Sequence, residues 1–346
     1  MNQKLLKPAY QCKPIGSVAS LAKALGLPLP HIVELANRAS LLYREAKPIV
    51  KPDGSIRQPL DAKGPLKELH RRLKERVFSK VDYPRYLTGS IRDRDYVVNA
   101  ELHVGSSIII CEDITNFFPT VSSVAIYDIW HYFFCFPHEV AEILTSLTTK
   151  DGCLPQGAIP SSYLANLALW RKEPQIQQKF EAQGIVYSRY VDDIAISSKS
   201  YLDKETQTAI VSEVYGMLSS EGLKAKRKKH ETHTPSRRML TTKLVVNKKV
   251  SLPDEKRSNL RAAVFQVEEL SRDGLLGPES LKLLSSVSSK IGQMKRLHPT
   301  QGASLQKRLR AVREQQEKFR LAAPQPSILQ KEAQENSNAM ASAAPW

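Results

Sequence analysis

The 346-residue sequence contains little cysteine and no long apolar run. Its four cysteines, at positions 12, 111, 135 and 153, are scattered and form no C-x-x-C pair. That pattern is too sparse for a disulfide framework or a zinc site, so we expect four reduced thiols in a reducing cytosol. No segment approaches the roughly 20 apolar residues that cross a bilayer, and the N-terminal segment lacks the apolar core of a signal peptide. These absences predict a cytoplasmic protein without a membrane partner.

The composition excludes two further classes of protein. An apolar fraction of 41% with a charged fraction of 25% is typical of a globular chain, and it excludes a disordered or fibrous one. Lysine and arginine (51) outnumber aspartate and glutamate (35), and the formal net charge of +16 predicts an anionic partner. The length corresponds to about two or three domain-sized units.

Apolar periodicity predicts a mixture of helices and strands. Two short helices are expected within residues 17–46, split by "GLPLP", and Asp53-Gly54 predicts the turn of a β-hairpin. Further helices are expected over residues 65–80, about 122–150, 204–221 and 254–320. Strands are expected in "SIIICED", in the hairpin "GIVYSRYVDDIAISSK" and over residues 239–252. The composition from Ala322 onward is typical of a flexible end.

Three aspartates at strand ends form a candidate chemical site. Asp192 and Asp193 stand side by side between two β-forming runs, and Asp113 ends the apolar strand in "IIICED". Taken alone, the Asp-Asp pair also suits an ordinary solvated turn. Between well-packed strands, however, adjacent ionised acids repel each other unless a cation neutralises them. A third strand-end acid then makes a hard-oxygen site for Mg²⁺, and two such ions supply most of what phosphoryl transfer requires.

Three motifs around these acids resemble those of reverse transcriptases. "YVDD" resembles their Y-x-D-D box, "CEDITNFFPTV" their first catalytic motif, and "LPQGAIPSSYLANL" their Q-G…L-x-N segment. The motifs follow the family's order at intervals of roughly 40 residues, which is far more specific than any one motif. The resemblance covers about residues 40–265. It implies an α+β right-hand polymerase fold, in which a palm with an antiparallel sheet and helices is joined to fingers and a mostly helical thumb.

Finer features resemble the retron-type bacterial reverse transcriptases and closely related defence-associated enzymes. "NAELH" at 99–103 matches an N-A-x-x-H signature, "SEGLKAKRKKH" an E-G-L…N-x-x-K-T segment, and "LTTKLVVN" a V-T-G-L-V-V-N segment. The sequence departs from these patterns at Lys226 and His230, where Asn and Thr are usual, and at Lys243, which replaces the Gly after Thr242. The family further implies five regions. They are a helical N-terminal extension (1–46), fingers (47–105), a palm (106–238, with a fingers insertion at about 122–165), primer-grip-like strands with a helical thumb (239–320), and a flexible tail (321–346).

The resemblance implies roles for individual residues. Two Mg²⁺ ions would be held by Asp113, Asp192, Asp193 and the Ile114 carbonyl. Lys229, with Lys228 as the alternative, would donate a proton to pyrophosphate. The implied dNTP contacts are Lys51 and Arg57 at the triphosphate, Phe118 beneath the sugar, where a ring excludes a ribose 2′-hydroxyl, and Gln156 and Gly157 beside the base and sugar. One of Phe117 and Phe118 is expected to be plain core.

Contacts with RNA or with a template–primer duplex are expected at two sets of residues. The first set is Asn99, His103, Tyr190, Lys243 and Asn247, and the second, in the thumb, is Lys295, Arg296, Lys307, Arg308 and Arg310. For Asn99, His103 and Tyr190 a purely structural role stays open. The charge distribution supports such contacts, because residues 224–249 contain ten Lys/Arg against one acid and residues 291–320 contain eight against two. Phosphate contacts of this kind hold a duplex with little sequence reading.

The resemblance thus implies an RNA-directed DNA polymerase of bacterial antiphage defence. It would copy a dedicated noncoding RNA, which also serves as primer, into an RNA–DNA duplex. One alternative is a polymerase-fold scaffold that binds RNA and restrains a separate effector protein. A reverse transcriptase of the group II intron or diversity-generating type is another. The helices within 17–46 could also form a helix–turn–helix that reads DNA, although a helical extension packed on the next domain is favoured.

Overall fold

In the computed structural model the described residues are 5–50, 54, 56–272 and 274–322. Contacts divide the chain into two compact units, Met1–Val250 and Ser251–Trp346. The finer division into fingers, palm and thumb stays a prediction. Asp53 of the expected turn and residues 323–346 of the expected flexible tail lie outside the described residues.

The first unit opens with strand β1 (Ala9–Tyr10) and helices α1 (Val18–Leu25) and α2 (Leu29–Arg38), followed by a 3-10 turn at Ala39–Leu42. Ser17 caps α1 and Gly26 ends it in the left-handed conformation, so both ends follow from local sequence. The apolar faces of α1 and α2 are buried in the core of the unit. Both predicted helices are confirmed, and they pack as an extension of this core. Within the described residues no single helix is long and apolar enough to cross a membrane; α1 and Leu29–Leu42 reach that measure only as a pair bent by 100°.

Three two-stranded antiparallel sheets and a helix involve the residues that follow. Strand β2 (Tyr43–Glu45) pairs with β5 (Leu60–Ala62), β3 (Ile49–Val50) pairs with β4 (Ile56–Arg57), and β6 (Val81–Asp82) pairs with β1. Helix α3 (Gly64–Arg76) has Pro65 in its first turn, where the fixed φ of proline suits a helix start, and a 3-10 turn at Phe78–Lys80 follows it. The hairpin strands and the helix predicted in this region are confirmed.

A four-stranded antiparallel sheet carries the three predicted aspartates. It is built from β7 (Ile108–Asp113), β8 (Ile185–Tyr190), β9 (Asp193–Ser198) and β10 (Glu231–His233), in the order β10-β7-β9-β8. The register places Asp113 opposite Asp193 on the two central strands. Both faces of β7 and β9 are covered, since nearly every residue of these two strands is buried. The predicted strand and hairpin are confirmed.

Helices surround this sheet. They are α4 (Tyr96–Glu101), α5 (Phe117–Thr120), α6 (Ser123–Asp128), α7 (His138–Thr148), α8 (Ile159–Leu167), α9 (Glu173–Ala182) and α10 (Lys204–Ser220), with a π-helical turn at Ile129–Phe133 and a 3-10 turn at Arg227–Lys229. The region predicted as helical over about 122–150 is interrupted where Cys135 takes a φ of 56° and Pro137 precedes α7. A short hairpin, β11 (Leu240–Thr241) with β12 (Leu244–Val245), follows β10, so the strand prediction for residues 239–252 is confirmed only in its first half.

A fully buried ion pair lies beneath β8. Arg189 is 0% exposed and donates to both carboxylate oxygens of Glu173, at 2.6 and 2.8 Å, and the Tyr187 hydroxyl donates to the same carboxylate at 2.8 Å. Burial alone would lower the pKa of Arg189, but the charge of Glu173 raises it. The remaining guanidinium N–H groups donate to the carbonyls of Ala165, Asn166 and Val191. One side chain thereby ties β8 to the end of α8, to the start of α9 and to the turn before β9.

A second buried network joins α4 to the opposite face of β8 and β9. The Asn99 side chain donates to the hydroxyls of Thr88 and Ser188, at 2.9 and 2.8 Å. The two ring nitrogens of His103 contact the hydroxyls of Ser197 and Ser188, at 2.8 and 2.7 Å. Burial lowers the pKa of His103 to about 4, so the ring is neutral at pH 7, with one nitrogen donating and the other accepting. The "NAELH" segment therefore braces the hairpin that carries Asp192 and Asp193.

The second unit contains helices α11 (Asp254–Leu270), α12 (Pro278–Leu297) and α13 (Pro299–Ala322) around a core of its own. Helices α12 and α13 approach so closely that a Cβ on Gly302 would lie 2.5 Å from the Lys295 Cα. Arg308 of α13 donates to the carboxylate of Glu268 in α11, with 2.7 Å between Nε and Oε1. The helical prediction for residues 254–320 is confirmed.

Breaking the buried ion pair beneath β8 should strongly destabilise the first unit. Arg189→Met leaves the Glu173 carboxylate buried without its counter-charge, so we expect the free energy of unfolding to fall by about 3–5 kcal/mol. Urea-induced unfolding followed by circular dichroism measures this change.

Two variants serve as controls for that loss. Lys179→Met removes the more exposed ion pair with Glu213, 2.7 Å long, and should change the free energy of unfolding by less than about 1 kcal/mol. Adding Glu173→Gln to Arg189→Met removes the uncompensated charge and should recover part of the loss. Equal losses for Lys179→Met and Arg189→Met would contradict the assignment.

Candidate active site

Asp192 and Asp193 lie at a tightly constrained turn. Val191, which precedes them, has a φ of 60°, a left-handed conformation that is costly for a β-branched residue. Arg189 holds this turn by donating to the Val191 carbonyl at 3.0 Å. On the other side, a Cβ on Gly89 would lie 2.4 Å from the Val191 nitrogen, so only glycine fits there. The apex of the hairpin is therefore fixed from two directions.

Three aspartates lie at this end of the sheet. Asp113 lies opposite Asp193, and the Ile114 N–H donates to the Asp192 carbonyl at 3.0 Å. Burial, with the charges of Asp192 and Asp113, raises the pKa of Asp193 to about 6. Burial also raises the pKa of Asp192, and Asp113 adds to that effect. The cluster resists carrying its full negative charge, so it favours a cation at its centre.

Lys229 supplies the positive charge closest to Asp113. Its Nζ lies 2.6 Å from Asp113 Oδ2, and this hydrogen bond raises the pKa of Lys229. The segment that carries Lys229 is joined to the end of β7, because the Lys226 N–H donates to the Asp113 carbonyl at 2.7 Å. Of the two lysines left open by the sequence, Lys229 lines the acid-containing pocket and Lys228 does not.

Carboxylates and cations line one open pocket of about 630 Å³. Asp113 and Asp192 contribute its negative charge, and its cations are Arg57, Lys226, Lys229 and Lys243. Cationic side chains suit phosphate groups, and carboxylates suit hard metal ions. The pocket therefore combines the two kinds of group that a nucleotide bound through a divalent cation requires.

The donors at this site fit Mg²⁺ by their chemistry, since three carboxylates present hard oxygen ligands. In the described part of the chain, no three His, Cys, Asp or Glu side chains converge into a ready metal-binding group. The ammonium of Lys229 is instead the counter-cation of Asp113. A metal ion at Asp113 would therefore share this carboxylate with Lys229 or displace the ammonium from it.

Glu112, next to Asp113, contacts the other face of the sheet. It is 2% exposed, and its carboxylate lies 2.6 Å from His230 Nδ1 and accepts from the Tyr215 hydroxyl at 3.1 Å. Two consecutive residues of β7 thus pair with two consecutive residues at the end of the 3-10 turn. Asp113 pairs with Lys229, and Glu112 pairs with His230. The departure from the family at His230 is matched by this buried partner.

Two of the predicted dNTP residues contact each other across the pocket. With its amide oxygen oriented towards Arg57, Gln156 accepts two hydrogen bonds from the guanidinium, each 3.2 Å long. Gly157 has a different constraint, because it has a φ of 113° and a Cβ there would lie 2.7 Å from the Leu60 carbonyl oxygen. Close packing against β5 thus requires glycine at this position, whatever its contact with a nucleotide.

The two phenylalanines after Asp113 separate as expected. Phe117 is 3% exposed and belongs to the core, whereas Phe118 is half-buried and lines the pocket. Lys51 lies outside the described residues, so its contact with the triphosphate stays a prediction.

Asn99 and His103, for which the sequence leaves open a contact with RNA or a structural role, have buried side chains. Their side chains are 1% and 0% exposed, and their polar atoms are bonded to protein groups. Of the two roles left open by the sequence, the structural one agrees with this burial. The reason is the pair of serines, Ser188 and Ser197, whose hydroxyls point from the sheet into the same network.

The other three residues of the first set occupy different places. Tyr190 is partly buried and pairs with Asp193 across the hairpin. Lys243 is exposed and lines the pocket. Asn247 uses its side chain within its own loop, accepting from the Met239 N–H at 2.9 Å and donating to the Arg237 carbonyl at 3.0 Å.

In the second unit, Arg308 is engaged inside the protein. Its ion pair with Glu268 links α13 to α11, lowers the pKa of that carboxyl and raises the pKa of Arg308, and the expected RNA contact of Arg308 stays a prediction. Arg296 is exposed on α12. A groove of about 490 Å³ between α12 and α13 is lined by the small residues Gly292 and Ala303 and by Lys295, Lys307, Arg310 and Arg313.

The sequence did not identify several residues that shape the site, namely Gly89, Glu112, Glu173 and Arg189. The available signal for Arg189 is a cation inside the β-forming run "YSRY", since a charge between packed strands needs a buried partner. Nothing local in the sequence identifies Glu173 or His230 as the partner of a particular buried charge.

Comparison with known proteins agrees with this geometry. The family model described as reverse transcriptase (RNA-dependent DNA polymerase) matches residues 49–258. The chain is similar to the retron Se72 reverse transcriptase of Salmonella heidelberg, with 31% identity over 86% of this chain and 80% of the relative. It is also similar to the retron Ec48 reverse transcriptase of Escherichia coli, with 29% identity over 75% of this chain and 66% of the relative.

A solved structure of telomerase from Candida albicans with a telomeric RNA fragment matches 58% of this chain and 40% of that chain. The TM-score is 0.35 at 10% identity, a likeness too distant to support any argument about this chain. The family model and the curated relatives together identify the α+β architecture as the polymerase fold of the family. This chain belongs to the reverse transcriptases, it is of the retron type, and it is an RNA-directed DNA polymerase.

Proposed function

We propose that this chain copies a dedicated noncoding RNA into DNA by two-metal nucleotidyl transfer, in the cytoplasm of a bacterium and in the service of antiphage defence. The observation that carries the proposal is the position of Asp113, Asp192 and Asp193 at one end of the sheet, beside Lys229 and a cation-lined pocket. The match to the RNA-dependent DNA polymerase family and the similarity to retron reverse transcriptases support an RNA template. A separate effector protein is part of this proposal.

The three aspartates and the Ile114 carbonyl would hold two Mg²⁺ ions. When bound, these ions supply charge neutralisation and Lewis acidity at the phosphate. Lys229 carries a proton beside Asp113 and is positioned to pass it to the departing pyrophosphate. Arg57, held by Gln156, would grip the triphosphate, with Lys51 as a second cation and Gly157 beside the base and sugar.

Removing a metal-binding carboxylate should separate synthesis from RNA binding. Asp192→Asn removes one negative charge from a cluster whose members repel each other, so the fold should be retained. DNA synthesis should fall by about 10³-fold or more, because a metal-binding carboxylate is lost. Purifying wild type and variant from cells and sequencing the bound nucleic acid measures both properties. Wild type should return one RNA with complementary DNA, and the variant the same RNA without DNA.

Two results would count against this proposal. A mixed RNA population bound to wild type would contradict a dedicated template. Full phage protection by Asp192→Asn, without DNA synthesis, would favour the RNA-binding scaffold that restrains an effector.

Phe118 is proposed to lie beneath the sugar of the incoming nucleotide. It lines the pocket beside Gln156, whereas Phe117 is buried in the core. Phe118→Ala should open space for a 2′-hydroxyl and raise the use of ribonucleotides relative to deoxynucleotides by about tenfold, a contact worth roughly 1–3 kcal/mol. Single-nucleotide extension with matched dNTP and rNTP pairs measures this ratio. An unchanged ratio would exclude the role.

The groove between α12 and α13 is proposed to hold RNA phosphates. Changing Lys295, Lys307 and Arg310 to Gln should reduce the slope of log affinity against log salt concentration by about 2–3. A matched triple change, Lys256→Gln, Arg261→Gln and Lys282→Gln, alters the net charge of the unit equally but does not touch the groove. Retention of the RNA at increasing salt measures both variants. Equal effects would show that only net charge matters.

A further inference from the structure

The segment that carries Lys229 forms a bulge opposite β7. Its backbone is paired with β7 on both sides of the bulge, through Lys226 before it and through Glu231 after it. Between these two attachments β7 contributes one residue, Glu112, whereas the facing segment contributes residues 227–230. Bulges re-aim side chains and are common next to active sites.

The position of the Lys229 ammonium needs more than these backbone attachments. Residues 227–230 are all exposed, so burial in the core does not hold them in place. Lys229 Nζ is nevertheless held 2.6 Å from Asp113 Oδ2. A lysine side chain and an exposed loop both have many conformations, so a defined position requires supporting contacts from neighbouring side chains.

Those supporting contacts lie on the reverse face of the sheet. Glu112 is 2% exposed, and its carboxylate lies 2.6 Å from His230 Nδ1 through one oxygen and accepts from the Tyr215 hydroxyl at 3.1 Å through the other. The guanidinium of Arg227 lies over the Tyr215 ring, 5.7 Å from its centroid. The first and last residues of the bulge are thus both attached to Glu112 and α10, while Lys229 contacts the catalytic face.

The Glu112 cluster favours one position of the bulge. A buried carboxylate is costly without hydrogen-bond partners, so the cluster is stable only while His230 and Tyr215 stay in contact with it. Because His230 directly follows Lys229 in the chain, fixing the one residue fixes the point from which the other side chain starts. A displacement of about 1 Å at a reacting group can reduce catalysis by about 10²-fold.

We propose that Glu112 and His230 are positioning residues, which hold the bulge so that Lys229 delivers its proton to the departing pyrophosphate. The inference deepens the proposed function and rests on the proton-donor role proposed there for Lys229. It gives the departure from the family pattern at His230 a role that acts through the neighbouring residue.

The chemical step that Lys229 assists balances in protons and bonds. The primer 3′-hydroxyl loses its proton to solvent, its oxygen bonds to the α-phosphorus, and the bond from that phosphorus to the pyrophosphate oxygen breaks. The ammonium of Lys229 gives its proton to this oxygen and becomes a neutral amine, which regains a proton from solvent.

His230→Ala removes the contact with Glu112 at a partly exposed side chain, so the chain should still fold. The full chain extends a DNA primer annealed to an RNA template, and the maximal single-turnover rate should fall by about tenfold. The half-saturating dNTP concentration should change by less than about twofold, because the proton moves only in the transition state. Single-nucleotide extension at several dNTP concentrations measures both quantities.

A double-mutant cycle separates positioning from general destabilisation. Lys229→Ala alone should reduce the rate by about 10²-fold, the usual size of a lost general acid. If His230 acts through Lys229, His230→Ala should change the rate by less than about twofold in a chain that already contains Lys229→Ala. His230→Asn keeps a nitrogen near the position of Nδ1 and should recover most of the rate.

Hydrogen exchange supplies a readout that does not depend on activity. Amides of residues 224–231 should exchange faster in His230→Ala than in wild type, and His230→Asn should restore slow exchange. The control is His138→Ala on α7, where the histidine likewise contacts a tyrosine and a glutamate, Tyr127 at 2.8 Å and Glu142 at 3.3 Å. Since His138 is not among the described residues that line the pocket, neither the rate nor this exchange should change.

Three outcomes would overturn the inference. They are an unchanged rate in His230→Ala, an equal loss of rate with and without Lys229, and a loss of rate without faster exchange in the bulge. The proposed function fails separately, when wild type does not extend the primer or when extension survives Asp192→Asn. Neither of those results depends on exchange in the bulge, so the two failures are distinguishable.

Discussion

The active site depends on one buried guanidinium. Arg189 carries a charge that burial opposes, so it is tolerated only because Glu173 neutralises it and because neighbouring carbonyls accept its remaining N–H groups. Those carbonyls lie at the end of α8 and in the turn before Asp192. The hydrogen bonds of the Arg189 guanidinium therefore fix the elements that present the catalytic acids. The strained Val191 turn persists because Arg189 donates to its carbonyl from one side, while the backbone of Gly89 packs directly against it on the other.

Repulsion among like charges is the second constraint, and strand geometry resolves it. Successive side chains of a strand point to opposite faces, so Glu112 and Asp113 do not add their negative charges to the same face of the sheet. Asp113 joins the aspartates and takes Lys229 as its partner, while Glu112 is buried behind them with His230. The same short segment supplies both partners, Lys229 and His230, which couples the position of Lys229 on the catalytic face to a contact on the reverse face.

The sequence predicts those features that depend on local patterns of residues. Periodicity identifies most of the long helices and strands β7, β8 and β9 of the central sheet, but not β10. The motif order predicts Asp113 and the Asp192–Asp193 pair as one site. Buried polar partners are different, because Glu112 and His230 are 118 positions apart and no local pattern relates them. For the same reason, a signature such as Asn99 with His103 looks like a candidate RNA contact until Ser188 and Ser197 are found opposite it. The interruption after the π-helical turn follows from Cys135 and Pro137, a backbone effect that apolar spacing does not report.

The departures from the family pattern share a location and a chemical direction. Lys226 and Lys243 both add positive charge to the catalytic pocket, and His230 adds an imidazole directly behind it. Different contacts hold these three residues in place. The Lys226 N–H donates to a backbone carbonyl, and His230 contacts a buried carboxylate. Lys243 lies in a turn whose preceding residue is hydrogen-bonded to the Tyr96 carbonyl. The buried "NAELH" residues keep the family pattern, because their serine partners leave no freedom for another donor set. At the exposed positions a cation keeps its hydration, whereas His230, at the reverse face, has a buried carboxylate as its partner.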